Sequence, residues 1–445
     1  MKNILLIGAG RSASNLIQYF LKNGIENNWF LTVCDLNLEL AQSKIKGFAN
    51  AKAVEFDINN VTQRQLLIQS SDIVVSMLPA FMHLNVAKDC LTFKKNMVTA
   101  SYVSDEMKEM NELVEKAGLL FMNEIGLDPG IDHLSAIKII NDLKEKGAEI
   151  SDFESYTGGL VAPESDNNPW HYKFSWNPRN VVLAGQGPAA KFLHNNNLKF
   201  IPYHKLFERF ESLEIPEYGI FEGYANRDSL KYKSAYGLEN AATFVRGTLR
   251  KDGYCGSWNI LVQLGLTDDS YQIENLHQLT WNEFLNSFIP EKIKGNTRER
   301  LAQYLSISQT NYINNIEWLG LFSNEKIPLQ KASPAFALQC LLEQKWKLEP
   351  NDKDMIVMWH QFKYRLNNEN HKLQSYLVVK GDDETYTAMS KTVGLPLAIC
   401  TKLILEGKIN LKGVQMPLQK EVYEPILNEL EQFGIAFEEL EMIYS

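Results

Sequence analysis

The chain has 445 residues, too many for one hydrophobic core and enough for two or three domains. Hydrophobic residues at 45% and charged residues at 22% are the proportions of a soluble globular protein. A net charge of −9 without a long basic run argues against nucleic acid as a partner, though a local basic pocket for an acidic ligand stays open. The five cysteines are scattered and never spaced C-x-x-C, which argues against a disulfide frame or a zinc site and for reduced, buried thiols. Met1 leads directly into an apolar strand, and no apolar run approaches membrane-spanning length by this reading. The expectation is a cytoplasmic protein without a signal peptide.

Asn3-Ile4-Leu5-Leu6-Ile7 is almost wholly apolar, the pattern of a strand buried on both faces of a parallel sheet. It runs into Gly8-Ala9-Gly10-Arg11-Ser12-Ala13, after which Leu16, Ile17, Phe20 and Leu21 recur at helical spacing. Strand, G-x-G-x-x-A turn and helix in that order form a dinucleotide-binding fingerprint. Gly8 permits the tight turn and Gly10 leaves room for a pyrophosphate. Ala13 lets the helix lie close to the strand, and the helix start supplies N–H donors. A second apolar run, Phe30 to Cys34, ends in Asp35. A carboxylate there accepts hydrogen bonds from the adenosine ribose and repels a 2′-phosphate, which favours NAD over NADP. An ordinary turn residue is the plainer reading of Asp35.

The alternation continues with a strand over 53–57, a helix over 61–69 and a strand over 73–77. Ser76 to Pro79 then close that strand at its carboxyl edge, where open α/β sheets place ligands. A helix near 85–93 and a strand at 96–99 lead to Ala100-Ser101-Tyr102. Ser104 is the expected N-cap of a helix reaching Ala117, with Asp105 and Glu106 in its first turn. A strand follows over 119–122. Strands alternating with helices from Met1 to Glu124 predict an α/β fold with a Rossmann-type doubly wound parallel sheet. Gly126-Leu127-Asp128-Pro129-Gly130 interrupts the rhythm with a tight loop around one carboxylate, and 131–144 is helical. Stretches 155–176 and 218–256, rich in Tyr, Trp, Gly and Asn, read as strands and long loops of a second domain. The segment 276–346 is mostly helical and begins with a capping box of Thr280 and Glu283. Strands at 354–359 and 374–380 precede helices at 388–405 and 420–433, the last closed by Gly434.

Several ordered motifs carry a family likeness. They include Ala100-Ser101-Tyr102, the run from Asn123 to His133, Gly158-Gly159-Leu160-Val161-Ala162-Pro163-Glu164 and Asn226-Arg227-Asp228-Ser229. Arg246-Gly247-Thr248-Leu249-Arg250 and Lys391-Thr392-Val393-Gly394-Leu395-Pro396 extend it. The chain resembles the saccharopine dehydrogenases of the L-glutamate-forming type, or saccharopine reductases, over essentially its whole length. It is also similar to the C-terminal half of animal α-aminoadipic semialdehyde synthase. The resemblance implies a reversible conversion of saccharopine, NAD(P)⁺ and water to glutamate, α-aminoadipic semialdehyde and NAD(P)H, in lysine metabolism. It implies a Rossmann domain over 1–127 and 386–445, an α/β substrate domain over 128–275 and 347–385, and a small helical domain over 276–346.

Site residues follow from the same resemblance. Saccharopine bears three carboxylates, and Arg suits them through bidentate charge-assisted hydrogen bonds. Arg227 and Arg250 match substrate positions, with Ser101, Tyr102, Thr248 and Leu249 in the same set; Arg246 is either a third clamp or a structural partner. Asp128 and Tyr102 are the expected catalytic pair. Asp128 holds the substrate's secondary ammonium or takes a proton, and otherwise caps the following helix. Gly8, Gly10, Arg11, Ser12, Ala13, Asp35, Asp57, Ser76, Leu127 and Trp176 are expected at the cofactor. Lys173 shares the motif of Trp176, Asp132 is expected as a first-turn acid, and His133 is a tempting base that is more simply structural. No metal is expected. Some relatives that use NADP place a basic residue where Asp35 stands. Partners are expected to be small molecules, with no nucleic acid or membrane; a homodimer is left open, and any pathway partner should be a separate chain. Two rivals stay open: a carboxynorspermidine dehydrogenase acting on a polyamine adduct, and an inactive nucleotide-binding scaffold.

Overall fold

Residues Lys2–Ile7 form strand β1, and the last four of them are buried, as the unbroken apolar run requires. The structure, a computed structural model, describes residues 1–444. After a 3₁₀ turn at Arg11–Ala13 come α1 (Ser14–Gly24), β2 (Trp29–Asp35), α2 (Leu38–Ile45) and β3 (Ala51–Glu55). Next are α3 (Val61–Gln69), β4 (Ile73–Ser76), α4 (His83–Thr92) and β5 (Asn96–Thr99). Helices α5 (Asp105–Glu109) and α6 (Asn111–Lys116) precede β6 (Leu120–Met122), α7 (Ile131–Glu145) and β7 (Glu149–Val161). Ser104 does cap its helix, accepting from the Met107 N–H at 3.1 Å. The single helix expected to reach Ala117 is instead two, divided at the buried Met110.

The middle of the chain holds α8 (Pro178–Val182), β8 (Ala190–His194), β9 (Asn197–Ile201), β10 (Phe210–Ile215), β11 (Gly219–Ala225) and β12 (Thr243–Lys251). Helix α9 (Tyr254–Leu264) precedes the helical stretch, which comprises α10 (Trp281–Ser287), α11 (Thr297–Leu305), α12 (Thr310–Leu319) and α13 (Pro334–Lys345). Short strands β13 (Ile273–Glu274) and β14 (Lys331–Ala332) pair antiparallel around it. The Thr280–Glu283 capping box is formed in both directions. Strands β15 (Asp354–Leu366) and β16 (Glu369–Lys380) lead to α14 (Ala388–Leu405), β17 (Gly413–Gln415), α15 (Lys420–Glu431) and β18 (Glu438–Tyr444).

These elements form two units, one over 1–150, 364–371 and 377–444, the other over 151–363 and 372–376. This differs from the expected three-part division: α7 belongs to the first unit, and the helices of 276–346 are not set apart from the second. The first unit contains a seven-stranded sheet in the order β17-β6-β5-β4-β1-β2-β3. Its pairings are parallel, with Ile7 beside Cys34 on one side and beside Ser76 on the other. The C-terminal return thus supplies the edge strand β17, and α14 lies on α1. The second unit's sheet includes β10-β11-β12-β7-β15 in that order, with β12 parallel to β7 and antiparallel to β11.

Helix α14 corrects one expectation. It is 18 residues long with a mean hydropathy of 1.4, enough in length and composition to span a membrane. Yet 72% of it is buried inside the protein, as in a core helix. Asn15 donates its backbone N–H to Ser390 Oγ at 2.9 Å. A Cβ on Gly394 would come 2.9 Å from the Leu16 nitrogen, so glycine sets the closeness of the two helices. Gly394→Ala should therefore cost about 1–3 kcal/mol through overpacking, read as a lowered urea midpoint. An unchanged midpoint would show that α1 and α14 can part without cost.

Candidate active site

The glycine turn begins where β1 meets its neighbours. Gly8 has φ +104°, and a Cβ there would lie 2.8 Å from the Met77 carbonyl oxygen, so backbone geometry and space both require glycine. A Cβ on Gly10 would meet nothing within 4 Å, which leaves the open approach that a pyrophosphate needs. Ala13 is fully buried beneath it, Ser12 is half-buried and Arg11 is exposed. These residues fit a dinucleotide.

Asp35 closes β2 beside this turn. One carboxylate oxygen accepts the Ala9 N–H at 2.7 Å and the other the Asn37 N–H at 2.9 Å. A carboxylate offers about four acceptor positions, so capacity for ribose hydroxyls is left. Asp57 is different. Its strand ends at Glu55, and its exposed carboxylate accepts from the Asn59 backbone and side chain at 2.9 and 3.0 Å, as a turn residue does. Ser76 is fully buried, and its hydroxyl is bonded to His83 Nδ1 at 2.9 Å.

His83 is the residue that sequence reasoning missed here. Its ring joins Ser76 to Ser101, whose hydroxyl lies 2.7 Å from Nε2. It opens α4 without any motif to mark it, so no local signal was available. Burial pushes its pKa down to about 4, and the ring is neutral near pH 7.

The Gly126–Gly130 loop closes on itself, with the Gly126 N–H on the Pro129 carbonyl at 2.9 Å. A Cβ on Gly130, at φ +150°, would fall 2.0 Å from the Gly126 oxygen. Asp128 precedes Pro129 through a cis peptide, and Leu127 beside it is buried. Tyr102 donates its hydroxyl to Asp128 Oδ1 at 3.0 Å, so the expected pair is brought together. Asp132, the first-turn acid of α7, accepts the Gly130 N–H at 2.6 Å. His133 is fully buried with Nε2 2.9 Å from Glu124 Oε2, and Glu124 also accepts the Val103 N–H at 2.9 Å. That histidine belongs to the support of the loop.

In the second unit, β12 carries Thr248 and Arg250 on one face and Leu249 on the other, by the two-residue period of a strand. Leu249 is fully buried, and its backbone stands so near Gly158 that a Cβ there would lie 2.6 Å from the Leu249 oxygen. Its side chain is therefore a packing residue. Arg250 is 4% exposed and ringed by Tyr172, Tyr224 and Tyr254, with centroids 5.3, 6.0 and 5.2 Å from the guanidinium carbon. Nη1 donates to the Leu249 carbonyl at 2.9 Å, while Nε has no partner among the described residues. Glu222, directly opposite on β11, accepts the Gly253 and Cys255 N–H groups at 2.9 and 2.7 Å. Burial raises the three tyrosine pKa values against the pull of Arg250, so the cage is neutral. A buried guanidinium held this way keeps donor capacity for an anionic ligand.

The other basic candidates differ. Arg246 is buried and stands over the Tyr232 ring at 4.4 Å. Arg227 is exposed, with φ +52°, and its carbonyl accepts the Lys191 N–H at 2.8 Å. Lys173 pairs with Asp352 at 2.5 Å, a structural role, and Trp176 is half-buried.

Two family models match the chain: "Saccharopine dehydrogenase NADP binding domain" over residues 4–122 and "Saccharopine dehydrogenase C-terminal domain" over residues 126–435. The chain belongs to the saccharopine dehydrogenase family. It is 34% identical to the saccharopine dehydrogenase [NADP(+), L-glutamate-forming] of Schizosaccharomyces pombe, with 99% of each chain covered. The structure of apo saccharopine dehydrogenase (L-Glu forming) from Saccharomyces cerevisiae is similar, with a TM-score of 0.90 and 33% identity. That comparison covers 99% of this chain and 100% of the other. The chain is 36% identical to the mitochondrial α-aminoadipic semialdehyde synthase of Rattus norvegicus, covering 98% of this chain and 47% of that one. The chain thus spans about half the length of that relative. Its α/β fold is the family's, and its N-terminal region matches the family's NADP binding domain.

His83 gives this site a measurable acid limb. Its pKa is near 6.5 in the unfolded chain and about 4 in the folded one, so between those values only the unfolded form is protonated. Stability is retained above pH 6.5 and falls as pH drops towards 4, by roughly 3 kcal/mol for this shift. His83→Gln, which cannot titrate, should lose less stability between pH 7 and pH 4.5 in urea unfolding. Equal losses in the two proteins would remove His83 from that role.

Proposed function

We propose that the chain catalyses the reversible conversion of saccharopine, a nicotinamide dinucleotide and water to glutamate, α-aminoadipic semialdehyde and the reduced dinucleotide. The observation that carries this reading is Arg250, a buried cation whose Nε has no partner among the described residues and whose strand neighbour Glu222 accepts two backbone N–H groups instead. Such a group calls for an anionic ligand, and saccharopine offers three carboxylates. A polyamine adduct would bring positive charge to the same guanidinium, which counts against the carboxynorspermidine reading. The names of the yeast relatives point to the same substrate.

The dinucleotide, when bound, accepts a hydride from the carbon bearing the substrate's secondary amine. Asp128 then serves to hold that ammonium and to take up a proton, with the Tyr102 hydroxyl on Oδ1 fixing the carboxylate's orientation. Ser101, oriented by His83, and Thr248 beside Arg250 complete the proposed substrate contacts. Arg227 stands in this set as an exposed clamp. Asp35 supports NAD through its ribose-binding position. The names of the yeast relatives and the first family model support NADP.

Purified protein with saccharopine and NAD⁺ or NADP⁺ in parallel should give saccharopine-dependent growth of absorbance at 340 nm with at least one of them. Folded protein without signal in either mixture would overturn the reading. Arg250→Ala should raise KM for saccharopine by about 10-fold or more, from a charge-assisted hydrogen bond worth ~1.5–3 kcal/mol. An unchanged KM would take Arg250 out of the site. Asp128→Ala should lower kcat while leaving binding of the reduced dinucleotide intact, and wild-type turnover in that variant would end its catalytic assignment.

A further inference from the structure

We infer that Lys44 holds the 2′-phosphate of a phosphorylated dinucleotide and so sets cofactor choice. This rests on the reading of the Gly8–Ala13 turn as the dinucleotide site. Lys44 lies on α2, and its side chain reaches across to the turn. Nζ donates to the Gly10 carbonyl at 2.6 Å and to Ser14 Oγ at 3.0 Å. Both acceptors belong to the turn and the first residue of the helix behind it. Gly10 is also the position with open space on its Cα.

Placement of this ammonium is hard to explain by stability alone. It stands at the start of α1, where the helix dipole is positive and a cation is unfavourable. Partial burial pulls its amine down to about 8, while Asp35 pulls the other way. Its two acceptors are neutral, and an ammonium has three donors, so one is available for a ligand oxygen. A dianionic phosphate would complete the site, because lysine binds phosphate as a point charge and the helix start adds its own dipole.

Asp35 opposes a 2′-phosphate by its charge, and the Lys44 ammonium beside it offsets that charge. Each of its oxygens accepts a backbone N–H, from Ala9 and from Asn37, which fixes the carboxylate beside the turn. The carboxylate then braces one side of the turn and the ammonium the other. In this arrangement the basic group that reads a 2′-phosphate comes from the helix after β2, in place of the residue at the strand's end.

The test uses the full-length protein without added cofactor and compares 5′-AMP with 2′,5′-ADP by titration calorimetry. The two ligands differ by the 2′-phosphate alone. Wild type should bind 2′,5′-ADP more tightly. Lys44→Gln should weaken 2′,5′-ADP by about 10-fold, one ion pair's worth, and leave 5′-AMP within about twofold. Lys44→Arg should restore much of the difference, and circular dichroism of each variant establishes that it is folded. Equal weakening of both ligands would make Lys44 a strut of the turn and overturn the inference, as would equal affinity for the two ligands in wild type. If wild type binds neither ligand nor NADH, the dinucleotide reading falls and takes this inference with it.

Discussion

The first unit depends on one close approach of bare backbone. Where β1 ends, a Cβ on Gly8 would lie 2.8 Å from the carbonyl of Met77, just past the neighbouring strand β4. The chain can turn there because glycine tolerates positive φ and adds no atoms. Everything placed at the carboxyl edge of the sheet follows from that turn. Ala9 offers its N–H to Asp35, Gly10 offers its carbonyl to Lys44, and α1 begins directly behind the turn. A side chain at Gly8 would force β1 and β4 apart and move all of these groups together.

The second unit is governed by a different constraint, the burial of a charge. An arginine at 4% exposure requires compensation. Here the surroundings are three neutral tyrosines, whose ring faces attract the cation, and one backbone carbonyl. Fixing the guanidinium in this way keeps its fork pre-organised, so little side-chain freedom remains to be lost when an anion arrives. A cationic group brought to this place would face repulsion that water cannot screen.

Two histidines show how burial divides structural from site-facing roles. His133 stands one turn into α7 with its ring on Glu124, and Glu124 in turn holds the Val103 N–H. The pair anchors the segments on either side of Tyr102 and Asp128. His83 reaches Ser101, a residue only partly buried. Its neutrality means that one ring nitrogen donates and the other accepts, so the two serine hydroxyls are oriented as a set.

Much of the fold was legible in the sequence because its signals are local. The apolar run ending at Gly8, the helical spacing after Ala13 and the alternation down to Met122 each depend on neighbours a few residues away. The loop around Asp128 was legible for the same reason, since two glycines and a proline restrict the backbone directly. Its hydrogen bond with Tyr102, by contrast, joins segments distant in the chain, which no local pattern indicates. Partners and faces were decided only by tertiary structure. Leu249 is a packing residue because β12 lies close against Gly158 of β7, and Asp57 became a turn residue because β3 ends two residues early. The apolar length of α14 is core because α1 covers it. Likewise, no local pattern could bring Lys44 to Gly10 or His83 to Ser101. Periodicity fixes which way a residue faces within its own element; burial and hydrogen bonding depend on which other elements the chain brings against it.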